Sequence, residues 1–125
     1  MLTLLLPYPP STNRLWRYER GVARLSDAAK AWIAQARLEA RRAACSLLQG
    51  DACVELILHP RLTLKGQASK TRIDVDGPIK IGMDALIGCA YADDKQVVAV
   101  SCRVGDPQPG GGLTLRVWGA GEEMP

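Results

Sequence analysis

Asp74 and Asp76 stand two apart in the segment Arg72-Ile-Asp-Val-Asp-Gly-Pro78, and Asp93 and Asp94 stand side by side further along. In an extended chain alternate side chains leave the same face, so Asp74 and Asp76 would present their carboxylates together. That makes half of a site for a hard cation. Mg²⁺ takes oxygen ligands and keeps several of its waters, so a few convergent carboxylates suffice and no histidine is required. A cation held this way generates hydroxide near neutral pH, holds a phosphate and neutralises a leaving oxygen, which is what phosphodiester cleavage asks for. Lys80, one helical turn after Asp76, stands where a cation can orient the attacking water or stabilise the extra negative charge of the transition state. Its bland role is an intrahelical pair with Asp84, worth about 0.2 to 0.5 kcal/mol, and the two roles are compatible.

These residues need elements to carry them. Gly77 and Pro78 suit a helix start, since proline fits the first helical position and glycine is tolerated as the cap before it. Ile79, Met83, Leu86 and Ile87 fall at helical spacing and predict a buried stripe, and Gly88 is a fitting stop. A strand over residues 96–104 follows. Carboxylates at both ends of one short helix–strand return can therefore meet on a single cation.

Upstream, Leu2–Leu6 reads as a buried strand that the proline cluster after it ends. Residues 14–24 form a short hairpin or an irregular excursion, in which Arg14, Arg17, Arg20 and Arg24, with Trp16 and Tyr18 among them, either meet phosphates and bases or lie on an exposed loop whose aromatics pack onto the core. Ser26 caps a helix over residues 27–48, rich in Ala, Leu, Arg and Gln, with Asp27 favourable at its positive end. Its predicted stripe is Trp32, Ala36, Ala40, Ala43 and Leu47, widened by Ile33 and Ala44. Arg37, Arg41 and Arg42 fall off the stripe's centre as a solvated face and only secondarily a DNA contact. A strand with period-two alternation covers Ala52–His59, with His59 as a strand-end residue rather than a base. Residues 61–71 are a polar, substrate-facing flap whose Lys65 and Lys70, with Arg72, put three basic side chains beside the acidic site. A Pro/Gly-rich turn over 106–112 leads to a last strand over 113–118. The expected architecture is α+β, a mixed β-sheet with two helices in the order β-α-β-α-β-β, forming a single domain over residues 1–118 with a frayed tail at 119–125.

Composition limits the alternatives. The chain has 125 residues, 47% hydrophobic, which suits one core and leaves no comfortable room for a second domain. Cys45, Cys53, Cys89 and Cys102 include no Cys-x-x-Cys pair, and His59 is the single histidine, so a zinc site is not expected and small core thiols are. No basic segment precedes Leu4-Leu5-Leu6 and Pro7 cuts that run short, so neither signal peptide nor membrane span is expected. The formal charge is +3, from 16 Lys and Arg against 13 Asp and Glu; setting aside Asp74, Asp76, Asp84, Asp93 and Asp94 leaves 8 acids and a balance of +8. Such a surface around an acidic pocket suits a polyanion whose phosphate is carried to metal ions.

Together with Pro7-Tyr-Pro-Pro-Ser-Thr-Asn-Arg-Leu-Trp16, the acidic stretch resembles the RusA family of Holliday junction resolvases. The family pattern is Asp-x-Asp-Asn, a lysine four residues after the second Asp, an Asp-Ala-Leu helix, and Asp-Asp before a valine-rich strand. Every part is present except that Gly77 replaces the Asn, and the resemblance spans nearly the whole chain. It implies a RusA-like fold and an Mg²⁺-dependent endodeoxyribonuclease, with Mn²⁺ as a substitute, in which Asp74, Asp76 and Asp94 are ligands, Asp93 is their neighbour and Lys80 is catalytic. It also implies contacts from Asn13, Arg14, Trp16, Arg17, Lys65, Lys70 and Arg72 to four-way junctions and other branched DNA. Symmetry-related cuts call for a homodimer. The expected setting is the cytoplasm of a bacterium, with the gene from host or phage. Two readings compete: a non-catalytic or weakly catalytic basic DNA-binding protein, and another Mg²⁺-dependent phosphohydrolase, although no Gly-x-x-x-x-Gly-Lys-Ser/Thr phosphate loop is present.

Overall fold

The computed structural model describes residues 1–11, 16–43, 46–67 and 75–122, with Trp16, Arg17 and Glu19 described by their backbone only. Its main sheet has the strand order β1-β6-β4-β5, from Leu2–Leu6, Gly112–Gly119, Ala52–His59 and Val97–Val104. β6 runs antiparallel to both β1 and β4, while β5 is parallel to β4, so the sheet is mixed. Parallel neighbours need a crossover, and helix α2, Asp76–Leu86, supplies it. One sheet face carries Leu4, Leu6, Val54, Leu56, Leu58, Leu113, Leu115 and Val117, all buried with α1 and α2 packed in the same core.

Helix α1 is Asp27–Arg42, capped by Ser26, whose Oγ accepts from the Ala29 N–H at 3.1 Å. Ala29, Trp32, Ile33, Ala36 and Ala40 form its buried stripe. The helix is shorter than expected. The Ala43 N–H still reaches Glu39 O at 3.0 Å, but the Leu48 N–H donates to Ala90 O at 2.8 Å, so the chain leaves the helix to dock on the turn after α2. Ala43 and Leu47 are consequently exposed rather than on the stripe, and Ala44 lies outside the described residues.

The excursion before α1 is a hairpin, β2 Trp16–Glu19 and β3 Val22–Leu25. Arg20 and Gly21 connect the strands with φ of 50° and 75°, the two positive values of a type I′ turn, whose twist matches the flanking strands. This pair adds two strands to the expected order without joining the main sheet.

Helix α2 buries Pro78, Ile81, Gly82, Ala85 and Leu86, while Ile79, Met83 and Ile87 are only half-buried, so the stripe is rotated from the predicted one. Gly82 is the reason. A Cβ there would sit 2.9 Å from Leu56 Cδ2 and 3.6 Å from Leu115 Cδ2, and its absence lets this face lie directly on the sheet. At the other end of the chain the expected fraying does not begin at 119. Gly119 closes β6, the Ala120 N–H donates to Asp51 O at 2.9 Å and the Glu122 N–H to Gly119 O at 2.9 Å.

Candidate metal and DNA site

Asp76 is the first residue of α2, following Val75 in a helical conformation with φ −64° and ψ −21°. The geometry expected for Asp74 and Asp76, two carboxylates leaving one face of an extended segment, therefore does not hold at Asp76. Asp74 lies outside the described residues. Helical spacing places Lys80 one turn after Asp76 on the exposed side of α2, and Asp84, one turn further, is half-buried. The carboxylate of Asp76 also stands at the helix's positive end.

The return from α2 is tight. Gly88, with φ 83°, follows the last helical residues, the Cys89 and Ala90 N–H groups donate to Leu86 O at 3.0 and 2.8 Å, and the Gly88 N–H donates to Tyr91 O at 2.7 Å. Tyr91 is fully buried beneath this return and its hydroxyl donates to Met83 O at 2.9 Å. Burial pushes the phenol pKa well up, and the negative charges of Asp94 and Asp84 push it further. Tyr91, three residues before Asp94, is thus bonded to α2 through Met83 O and to the Gly88 N–H just after it, which returns the chain to the C-terminal end of that helix.

Asp93 and Asp94 have different tasks. Asp93 caps the 3-10 turn Asp94–Gln96, with Oδ1 accepting the Lys95 N–H at 2.9 Å, and that bond holds its carboxyl below the ordinary carboxylate range. Asp94 heads the turn and is exposed. Gln96, expected to open the strand, instead completes the turn: its Oε1 accepts the Ala92 and Asp93 N–H groups at 3.0 and 3.2 Å, and β5 starts at Val97. Sequence reading passed over this residue, although Asp93 followed three positions later by Gln is capping-box spacing. It also passed over Tyr91, which nothing in the sequence separates from an ordinary core aromatic.

Of the expected DNA contacts, Lys65 is exposed in a closed turn, where the Thr63 N–H donates to Gln67 O at 2.6 Å and the Gly66 N–H to Thr63 O at 2.9 Å. The start of the expected flap is thus a built structure, anchored further by Arg61 over the Tyr8 ring at 4.1 Å and the Leu62 N–H on Gln108 O at 3.2 Å. Asn13, Arg14, Lys70 and Arg72 lie outside the described residues, as do the side chains of Trp16 and Arg17, whose backbones pair with Leu25 and Arg24. Arg37 is not part of a purely solvated face: its guanidinium donates to Asp84 O at 3.3 Å and Ala85 O at 3.4 Å, covering the last carbonyls of α2. His59 is a strand-end residue whose Nε2 bonds Thr114 Oγ1 and whose Nδ1 bonds Asp106 O, each at 2.8 Å. Cys53, Cys89 and Cys102 are half-buried thiols outside any disulfide, and Cys45 lies outside the described residues.

Among the described residues no three His, Cys, Asp or Glu side chains come together as a metal cluster, and no helix is long and apolar enough to cross a membrane. The sequence model of the family Endodeoxyribonuclease RusA matches residues 7–117. The chain belongs to the RusA family. It is accordingly an endodeoxyribonuclease, a hydrolase of DNA, and the match runs from the proline segment through β6. No curated protein matches the sequence. Within this RusA-family fold the acidic return from α2 to β5 and the basic segments on either side of it occupy one continuous matched region.

Proposed function

We propose that this RusA-family protein resolves Holliday junctions by paired, symmetric nicks, with Mg²⁺ (Mn²⁺ substituting) held by Asp74, Asp76 and Asp94. The donor set suits that ion: it is all carboxylate oxygen, and the two described members, Asp76 and Asp94, are exposed to receive it. When bound, the ion supplies an activated water and charge neutralisation at the scissile phosphate. Lys80, one turn along from Asp76 on the exposed side of α2, orients the attacking water or meets the developing negative charge. Asp93 remains a capping residue beside the site. Lys65, with Asn13, Arg14, Trp16, Arg17, Lys70 and Arg72, holds the branched DNA through its backbone and bases. The observation carrying this reading is that the exposed Asp94 turn follows closely on Tyr91, whose hydroxyl bonds Met83 O and whose carbonyl accepts the Gly88 N–H, so the chain returns against the helix on which Asp76 and Lys80 are exposed.

The same reading takes the active species as a homodimer, because a two-fold axis gives a four-way junction two matching sites. β5 is a sheet edge that exposes Val98 at 57%, Val100 at 43% and Val104 at 39%, which makes it the surface best suited to a second copy. Light scattering at micromolar concentration is expected to return a dimer, and a fully active monomer would remove this part of the reading.

The deciding experiment incubates the protein with labelled four-way, flap and linear duplexes, with and without Mg²⁺. Metal-dependent nicks at symmetric positions, selective for the four-way substrate, are expected. Binding without any nicking would leave a non-catalytic junction binder, and cleavage without branch selectivity would leave a general nuclease.

A further inference from the structure

Gln96 takes no part in the chemistry proposed above, yet its carboxamide is engaged on every side. Oε1 accepts the Ala92 and Asp93 N–H groups at 3.0 and 3.2 Å, while Nε2 donates to Leu48 O and Gly50 O, both at 2.8 Å. The first two bonds hold the turn that carries Asp94. The second two reach the segment between α1 and β4. Asp94 is thereby bracketed: before it, the Asp93 N–H is held by Gln96; after it, the Lys95 N–H is held by Asp93 Oδ1 and the Gln96 N–H by Asp93 O at 3.0 Å. Only a carboxamide of this length can accept from the turn and donate to the linker at once; a carboxylate accepts only and a thioether does almost neither.

We propose that Gln96 is the positioning residue of the metal site: it clamps the Asp94 turn to the α1–β4 segment, so that Asp94 is aimed before any cation arrives. The proposal rests on Asp94 being a metal ligand. Loss of an outer partner of a ligand typically weakens metal affinity or activity by roughly 10- to 100-fold. The clamp should therefore act on metal demand and leave contact with DNA untouched.

The test uses Gln96→Met, which loses all four bonds, and Gln96→Glu, which keeps the two acceptor bonds and loses the two donor bonds. Asp94→Asn and Gly82→Ala serve as controls, the latter disturbing the core away from the turn. Each protein is titrated with Mn²⁺ alone, assayed for the Mg²⁺ half-saturation of junction nicking, and measured for junction binding without metal and for thermal unfolding. Gln96→Met is expected to raise Mn²⁺ dissociation and Mg²⁺ half-saturation by about 10- to 100-fold, and Gln96→Glu by less. Nicking should recover at saturating Mg²⁺ and junction binding should be unchanged. Gly82→Ala should lower the unfolding midpoint with no shift in metal demand, which separates aiming from general destabilisation. If Asp94→Asn loses Mn²⁺ while the folded Gln96 variants titrate like wild type, the clamp is structural only and the proposal fails. If Asp94→Asn itself titrates like wild type, the ligand reading fails first and takes the proposal with it. Should Gln96→Met not fold, a wild-type titration by Gln96→Glu overturns the proposal by itself.

Discussion

Asp94 and Asp76 are displayed by backbones of opposite character. Around Asp94 the N–H groups of Ala92, Asp93, Lys95 and Gln96 all have partners, most of them side chains of the turn itself. Asp76 begins a helix whose N-cap residue, Val75, offers no side-chain bond, and the next residue is Gly77, which has no side chain to give. One corner of the acidic site is thus fixed by its own sequence, whereas the other depends for its definition on what it holds. In the proposed metal site, the fixed corner would set where the cation sits and the open corner how tightly it is held.

The largest effect should come from exchanging the two neighbours on the fixed corner. Asp94→Asn is expected to lower single-turnover nicking by more than about 100-fold, beyond the range for outer partners of a ligand. Asp93→Asn keeps an oxygen to accept the Lys95 N–H and should retain nearly all activity. The reverse ranking would assign the two residues the wrong way round.

The open corner can be sharpened. Asn in place of Gly77 restores an amide able to bond a ligand carboxylate or a metal-bound water, so Gly77→Asn should lower the Mg²⁺ needed for half-maximal nicking by roughly tenfold. Gly77 is buried in the first turn of α2, so the unfolding midpoint must be followed alongside. An unchanged Mg²⁺ titration in a folded variant would show that the position has no outer role.

Smaller effects concern the platform beneath both corners. In Gly82→Ala the new Cβ meets Leu56 Cδ2 at 2.9 Å, in a fully buried contact. Overpacking costs about 1 to 3 kcal/mol, against up to about 1 kcal/mol gained in helix propensity, so a net loss near 1 to 2 kcal/mol is expected in denaturant unfolding. A stabilised variant would mean that α2 shifts freely on the sheet. Tyr91→Phe should cost about 1 kcal/mol through the lost bond to Met83 O. It should also change the alkaline limb. Because the folded phenol's pKa is raised above its ordinary value of 10.0, the contribution of the neutral form is complete below that pH and is lost as pH rises beyond it. Wild type should therefore lose stability above about pH 10 more steeply than Tyr91→Phe; identical alkaline limbs would count against a buried, charge-flanked phenol.

The strand β4 was legible from its alternation: Val54, Leu56 and Leu58 are buried as their spacing predicts. The helix after the acidic motif was legible from Pro78 and the apolar spacing, although it begins at Asp76 rather than after Gly77, and Asp74 lies outside the described residues. Less legible were features set by contacts between distant segments. Periodicity placed Met83 and Ile87 on the buried side of α2, but the close approach permitted by Gly82 turned Ile81 and Ala85 inward. Helix formers continue past Arg42, yet the Leu48 bond to Ala90 takes the chain away. Arg37 looked solvated because its acceptors, the carbonyls of Asp84 and Ala85, lie in another element. Gln96 read as the opening of a strand, since the carbonyls of Leu48 and Gly50 that explain it are far away in sequence.

The most direct measurement is single-turnover nicking of a four-way junction by Asp76→Asn beside wild type, with junction binding measured on the same preparations. The account predicts no Mg²⁺-dependent nicking and binding that is equal or tighter, since a negative charge facing the phosphates has been removed. Nicking at the wild-type rate would contradict it.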